Sequence, residues 1–194
     1  MDAVKKFFGI KDNNDRIFKT NKSDGEIDKS VKPCVLPAGS VGEIINLTVN
    51  VDENGQVVAK NGQYLSIGNK NYSDKIYKFL RANTDVEWTY IRESNDSKPN
   101  LISTSHDKGI EYLGINLLYS KFATGSDKLL VTHIHPILKN PLMQNEVSAS
   151  DKAGVKYIKT YFPNKKVIYR ADDMQGGKYD YYNENGVTRH VRKK

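Results

Sequence analysis

The chain has 194 residues, of which 38% are hydrophobic and 27% charged, a composition that is ordinary for a globular domain with a buried core. These proportions exclude collagen-like and fully disordered proteins. Lysine and arginine exceed the acidic residues by 30 to 23, which gives a formal charge of +7, and the single cysteine excludes an intramolecular disulfide framework.

The N-terminal part differs in composition from the rest of the chain. Residues 11–33 are rich in Asn, Asp, Lys and Ser with isolated apolar positions, which predicts loops, a short hairpin or partial disorder. We therefore divide the chain into a β-rich, partly irregular extension over residues 1–42 and a main domain over 43–194.

Targeting signals are not evident in the sequence. No apolar run is long enough to span a membrane, and residues 1–10 are too polar and too short for a signal-peptide core. We expect no membrane partner, and either a cytoplasmic protein or one secreted as part of a larger polypeptide.

The main domain is predicted to begin with strands and continue with mixed elements. Asn54-Gly55 and Asn61-Gly62 are strong hairpin signals, and they divide a β-meander. The predicted elements are strands over 43–51, 56–59 and 64–67, a helix over 73–83, a strand over 86–91, segments at 100–105 and 110–122, a strand over 129–135, a helix from 151 to Pro163, and strands at 167–169 and 179–182. This order predicts an α/β or α+β fold, a mixed sheet flanked by helices, with its site at strand and helix ends.

Two histidines one residue apart stand at the end of a predicted strand. Strand side chains alternate, so His133 and His135 project to one side while Ile134 points the other way. Pro136 cannot continue a sheet ladder and ends the strand. The pair could be two ordinary strand residues at a sheet end, or two ligands of a metal ion.

A second group of polar residues opens the predicted helix that follows. Ser148 and Asp151 precede apolar residues at helical spacing. They could simply cap this helix, because a serine oxygen accepts a backbone proton and an acid favours the positive end of the helix dipole. Asp151 could equally be a third zinc ligand, and capping and ligation can coexist.

A hydrolytic metal site also needs a base within reach of the attacking water. Glu87 is the first candidate because it is an acid within the apolar predicted strand 86–91, with Glu93 and Glu111 as reserves. Alternatively, Glu87 could be a charged residue of an edge strand that faces solvent or forms an ion pair with a lysine.

The order of these residues resembles the JAMM (JAB/MPN-type) zinc metalloprotease family. An acid follows the first helix, His-x-His-Pro comes next, and Ser-x-x-Asp opens a later helix. The resemblance covers about residues 72–170 and implies the layered JAB/MPN-like architecture. It implies zinc ligands His133, His135 and Asp151, an acid/base role for Glu87, and transition-state support from Ser148. It also implies a protein or peptide substrate.

Within that family the chain looks most like the JAB-like domains of bacterial Rhs-type polymorphic toxins. The segments 83–88, 104–107 and 181–186 give this likeness. The chain departs from the family pattern in a longer loop over 137–147, in Val147 before the serine, and in bulky Trp88 and Tyr90 after Glu87. Such departures would also fit a catalytically inactive interaction module of the same fold.

The positive charge raises a third hypothesis, a toxin directed at nucleic acid. The lysines are scattered, and the one compact basic run, 189–194, is predicted to be a solvated tail. The distribution therefore argues against a nucleic-acid partner, whereas a basic surface would attract an acidic protein equally well.

Overall fold

A computed structural model of the protein describes residues 12–20, 26–50, 59–93, 98–105, 112–122, 124, 128–135, 149–173, 178–184 and 187–193. These residues form ten strands and three helices. The strands are β1 (Asp15–Ile17), β2 (Cys34–Leu36), β3 (Ile44–Asn50), β4 (Ala59–Ile67), β5 (Thr89–Glu93), β6 (Asn100–Thr104), β7 (Lys128–His135), β8 (Lys166–Asp173), β9 (Lys178–Glu184) and β10 (Val187–Lys193). The helices are α1 (Lys70–Asn83), α2 (Tyr112–Phe122) and α3 (Ala149–Tyr161).

Eight of the described strands form one mixed sheet in the order β10-β9-β8-β7-β5-β6-β4-β3. Neighbouring strands pair antiparallel except β7 and β8, which are parallel. Parallel neighbours require a crossover, and α3 lies in the connection between these two strands. The predicted fold class, a mixed sheet flanked by helices, is confirmed.

Helices α2 and α3 cover one face of the sheet. Strand alternation puts Ile91 and Val131, which are directly opposite each other, on this face. Both residues are fully buried in a cluster with Leu118 of α2 and Ile158 of α3. Burying side chains of this size contributes about 1.5–3 kcal/mol each to folding, so this layer is a substantial part of the core.

Helix α1 and the β1–β2 hairpin cover the opposite face. Their apolar residues form a second cluster with the intervening positions of the sheet, including Ile102 and Ile134. Cys34 of β2 is buried here as a free thiol, and burial raises its pKa, opposed by the charge of Lys75. This environment fits a small apolar core residue rather than an activated nucleophile.

The Asn61-Gly62 hairpin prediction is wrong. Both residues lie inside β4, where Asn61 pairs with Thr48 and Gly62 pairs with Leu47 of β3. The strand continues through this dipeptide because β3 pairs along its whole length and β6 adds a second ladder from Gln63 onward. The other predicted turn, Asn54-Gly55, lies outside the described residues.

The segment joining α1 to β5 also differs from its prediction. Asn69 caps α1 by accepting from the backbone N–H groups of Asn71 and Tyr72, so the helix begins at Lys70 rather than at residue 73. At the other end, Thr84 donates to the carbonyl of Leu80 and accepts from the indole of Trp88. These bonds hold a turn, and β5 therefore starts at Thr89 and not at residue 86.

The C-terminal basic run was predicted to be a tail, but its described residues form a strand. Val187–Lys193 forms β10, which pairs antiparallel with β9 over its full length. The backbone of residues 187–193 thus forms an edge of the described sheet, with its ladder hydrogen bonds made to β9. Among the described helices, none has both the length and the apolar character needed to cross a membrane.

Candidate active site

The predicted strand over 129–135 is confirmed as β7, which ends at His135. Its neighbours are β5, in which Thr89 faces His133, and β8, in which Ala171 faces His133. His133 is 4% exposed and points to the face that α3 covers. His135 is the last residue of the strand, but its side chain lies outside the described part of the chain.

Helix α3 brings Asp151 to this histidine. The helix begins at Ala149, which places Asp151 in its first turn, and the carboxylate is 2% exposed. Oδ1 of Asp151 lies 2.9 Å from Nε2 of His133. An acid in a first helical turn is favoured by the helix dipole, and here that same position also delivers it to the end of β7.

Tyr169 of β8 completes the surroundings of the imidazole. Its ring stacks on that of His133, with 5.0 Å between the ring centroids and 30° between the planes. The tyrosine also approaches α3 closely: a Cβ added at Gly154 would lie 2.9 Å from its hydroxyl oxygen and 3.1 Å from Cζ. Gly154 thus provides the space in which Tyr169 supports His133.

Glu87 lies two residues before β5 and not inside a strand as predicted, yet it is positioned towards the same site. Trp88 accepts a hydrogen bond from the backbone N–H of Ile134, which extends the β5–β7 register past Thr89 and His133. Continued by one more residue, that register would place the backbone of Glu87 opposite that of His135. By strand alternation Glu87 shares the face of His133, and its side chain is 9% exposed.

The backbone at Glu87 is fixed by a buried threonine of β6. Thr104 is fully buried and donates from Oγ1 to the carbonyl oxygen of Glu87 at 2.8 Å. This bond fixes the chain just before β5, where the ladder with β6 has not yet begun. Thr104 therefore positions the residue that sequence reasoning assigned to proton transfer.

The two described donor atoms are a nitrogen and an oxygen, the atom types that zinc binds in proteins. Two atoms bonded at about 2.1 Å to one tetrahedral ion lie roughly 3.4 Å apart, whereas the His133 and Asp151 atoms lie 2.9 Å apart, the separation of a direct hydrogen bond. Within the described side chains, no group of three or more His, Cys, Asp or Glu residues is arranged to hold a metal. Two predicted positions, the His135 side chain and Ser148, fall outside the described residues. The reserve acid Glu111 does so as well.

Sequence reasoning missed three residues that support this site: Gly154, Tyr169 and Thr104. One of them left a signal in the sequence. A glycine inside an otherwise regular helix often has a packing reason, such as a close approach by another group, and Gly154 is such a glycine. The roles of Tyr169 and Thr104 depend on which strands are neighbours, and local pattern does not specify that.

The chain was compared with known proteins. No curated protein and no solved structure matches it. A family model described as JAB-like toxin 1 matches residues 65–167, which include α1, Glu87, His133 and Asp151. Because this match covers more than half of the chain, the protein belongs to the JAB-like toxin 1 family and contains a JAB-like domain of the toxin type.

Proposed function

We propose that the protein is a zinc-dependent hydrolase that cleaves a peptide or isopeptide bond in a protein substrate. The observation that carries the proposal is the 2.9 Å contact between Nε2 of His133 and Oδ1 of Asp151. These residues come from a strand and a helix and are both buried, so the fold brings two zinc-type donors together where solvent is largely excluded.

The proposed metal ligands are His133, His135 and Asp151. Zinc held by them supplies Lewis-acid chemistry, which lowers the barrier to attack of water on a carbonyl carbon. The stacked ring of Tyr169 limits rotation of the His133 imidazole and thereby keeps Nε2 directed towards Asp151.

Glu87 is the proposed general base and acid. It takes a proton from the attacking water and passes it to the leaving amine, which requires a carboxylate within about 2.6–3.2 Å of the transferring atoms. Its position on the face of His133, opposite His135 in the extended register, supports this assignment. Ser148 is proposed to donate a hydrogen bond to the oxyanion that develops on the substrate.

The decisive experiment measures metal content together with peptide hydrolysis. Protein purified without chelators is analysed for zinc as the wild-type chain and as the His133→Ala, Asp151→Ala and Glu87→Gln variants. We expect about one zinc per wild-type chain, as for a single site with three protein ligands. The first two variants should lose zinc, whereas Glu87→Gln should keep it and lose hydrolysis.

Lys156→Ala serves as the matched control, because Lys156 is an exposed residue on the same helix as Asp151. It should change neither zinc content nor hydrolysis. A wild-type chain that takes up no zinc even when zinc is supplied would contradict the metal site. A chain that binds zinc through His133 and Asp151 but cleaves no peptide would instead identify an interaction module.

A further inference from the structure

A groove of about 420 Å³ lies on the α1 face of the sheet, away from the candidate active site. Arg92 of β5, Leu130 of β7 and Ile168 of β8 stand side by side across it, because each faces the next in the strand register. His133 projects from the opposite face, nearer the other end of β7. We call this concavity the basic groove.

The described residues that line the basic groove carry a strong excess of positive charge. Its cations come from α1 and from three strands: Lys70, Arg92, Lys128, Lys166 and Arg170. Its one acid, Glu93, is 2% exposed and alternates to the other face, so the lining has five cations and one buried carboxylate. Lys70 and Lys166 are exposed, and neither forms an ion pair with a described acidic side chain.

The floor of the groove identifies the class of ligand. Leu130 and Ile168 form an aliphatic strip between the cations, and Ile168 is 37% exposed although it is a large apolar residue in a central strand. None of the described lining residues is aromatic. Proteins that bind single-stranded nucleic acid generally stack bases on aromatic side chains, so this lining favours a polypeptide that carries both carboxylates and aliphatic side chains.

We propose that the basic groove docks an acidic segment of a partner protein, with aliphatic side chains of the segment on Leu130 and Ile168 and its carboxylates on the surrounding lysines and arginines. Complementary charge of this kind steers association and fixes the orientation of the bound segment. The proposal does not depend on zinc or on hydrolysis, because the groove and the His133–Asp151 pair occupy opposite faces of the sheet.

The test measures binding of a fluorescently labelled peptide in which leucines separate successive glutamates. Wild-type protein should bind it with an affinity that falls as salt increases. The Lys70→Glu/Lys166→Glu variant should bind about tenfold or more weakly, because it reverses two of the five cations around the groove. The Lys70→Gln/Lys166→Gln variant removes the two positive charges without introducing negative ones, and it should give an intermediate loss of affinity. Thermal melting checks that both variants are folded.

The matched control is Lys32→Glu/Lys156→Glu, which makes the same change in net charge at exposed lysines outside the groove. It should keep the affinity within about twofold of wild type, since long-range effects of exposed charges are screened by salt. A second peptide with serine in place of leucine should bind more weakly if the aliphatic floor contributes.

Three results would overturn the proposal. Absence of peptide binding at low salt would exclude the docking site. An equal loss in the control variant would show that net charge alone attracts the peptide. Tighter binding of a single-stranded oligonucleotide than of the peptide, abolished by the groove variant, would assign the surface to nucleic acid instead.

Discussion

The ring of Tyr169 stacks on the imidazole of His133 with 5.0 Å between their centroids, and Gly154 of α3 leaves the space for it. A methyl group at position 154 would lie 2.9 Å from the tyrosine hydroxyl oxygen, which is closer than real Cβ atoms approach, and 3.1 Å from Cζ, which is a tight contact. Because the same ring stacks on His133, a shift of the tyrosine would also change its contact with that residue.

We therefore expect Gly154→Ala to destabilise the protein although alanine is the better helix former. The substitution gains about 1 kcal/mol of helix propensity. Overpacking of a buried contact costs about 1–3 kcal/mol, and the contact should prevail. Urea unfolding measures the free energy of unfolding, and zinc titration measures the consequence for His133, which should bind metal more weakly.

Two variants make this test specific to the contact. Tyr169→Phe combined with Gly154→Ala removes the atom at 2.9 Å and should restore part of the lost stability. Gly68→Ala is the matched glycine control, because a Cβ there meets nothing within 4 Å. If Gly154→Ala were more stable than the wild-type chain, the tyrosine would have room to move and its support of His133 would be dispensable.

Thr104→Val tests how Glu87 is positioned. The substitution keeps the shape of a fully buried side chain but removes the 2.8 Å hydrogen bond to the Glu87 carbonyl. We expect a loss of about 1 kcal/mol in the free energy of unfolding. If Glu87 transfers protons as proposed, kcat should fall while zinc content stays unchanged, because the proposed metal ligands lie on other elements or outside the described residues.

Thr160→Val provides the comparison for Thr104→Val. Thr160 is an exposed residue that donates to the carbonyl of Lys156 within α3, so its loss should affect neither stability nor kcat appreciably. A Thr104→Val protein with unchanged kcat and unchanged stability would show that Glu87 does not depend on this bond.

The sequence was sufficient to predict the elements that carry a periodic pattern. The strand ending at His135 and the helix around Asp151 were predicted because an apolar alternation and a helical recurrence are local signals. Their contact could not be derived from local pattern, because it depends on α3 crossing over to make β8 parallel to β7. The prediction that His133 and Asp151 act together came from the family resemblance and not from local pattern.

The wrong predictions also arise because local patterns do not specify which segments become neighbours in the fold. Asn61-Gly62 is a strong local turn signal, but strands on both sides of β4 provide ladder hydrogen bonds that outweigh it. The basic run at 189–193 has the composition of a tail and becomes a strand only because β9 is present as its partner. Glu87 falls outside β5 because Thr84 and Trp88 form a side-chain hydrogen bond that holds the preceding turn.

A partly buried ion pair joins α1 to β8 and should contribute more to stability than an exposed one. The guanidinium of Arg81 lies 3.3 Å from Oδ2 of Asp172, whose side chain is 7% exposed. We expect Arg81→Met to lower the free energy of unfolding by about 2 kcal/mol, because it leaves a buried carboxylate without this partner. The loss should depend little on salt, and urea unfolding at two ionic strengths measures both properties.

The exposed pair Arg16–Asp12 is the natural control. Its atoms are closer, at 2.8 Å, but the Asp12 side chain is 52% exposed. Asp12→Asn should therefore cause a smaller loss than Arg81→Met, and added salt should remove most of it. Equal effects of the two substitutions would mean that distance rather than burial determines the strength of these pairs.

Tyr77 of α1 and Tyr90 of β5 are neighbours that differ in how their hydroxyls are satisfied. Among the described residues, the buried Tyr77 hydroxyl has no hydrogen-bond partner, whereas that of Tyr90 is 2.9 Å from Oγ of Ser73 and donates to Asp74 at 2.8 Å. We expect Tyr77→Phe to leave stability at neutral pH unchanged or raised by up to about 1 kcal/mol. Tyr90→Phe should lower stability by about 1 kcal/mol or more, because it breaks one buried and one partly buried hydrogen bond.

The same pair predicts how stability changes in alkali. Burial raises the pKa of both phenols above the ordinary value, and the charge of Asp172 adds to the effect at Tyr77. Above about pH 10 the unfolded chain loses these protons while the folded chain retains them, so stability is intact below that pH and falls as pH rises. Each tyrosine removed should reduce the slope by up to about 1.4 kcal/mol per pH unit.

Urea unfolding of the wild-type chain, Tyr77→Phe and Tyr90→Phe across pH 7 to 11 separates the two effects. Tyr77→Phe should match or exceed wild-type stability at every pH, and its advantage should grow above about pH 10. Tyr90→Phe should begin less stable and approach the wild-type value as the pH rises. A Tyr77→Phe protein that is clearly less stable at neutral pH would show that its hydroxyl makes a hydrogen bond worth keeping.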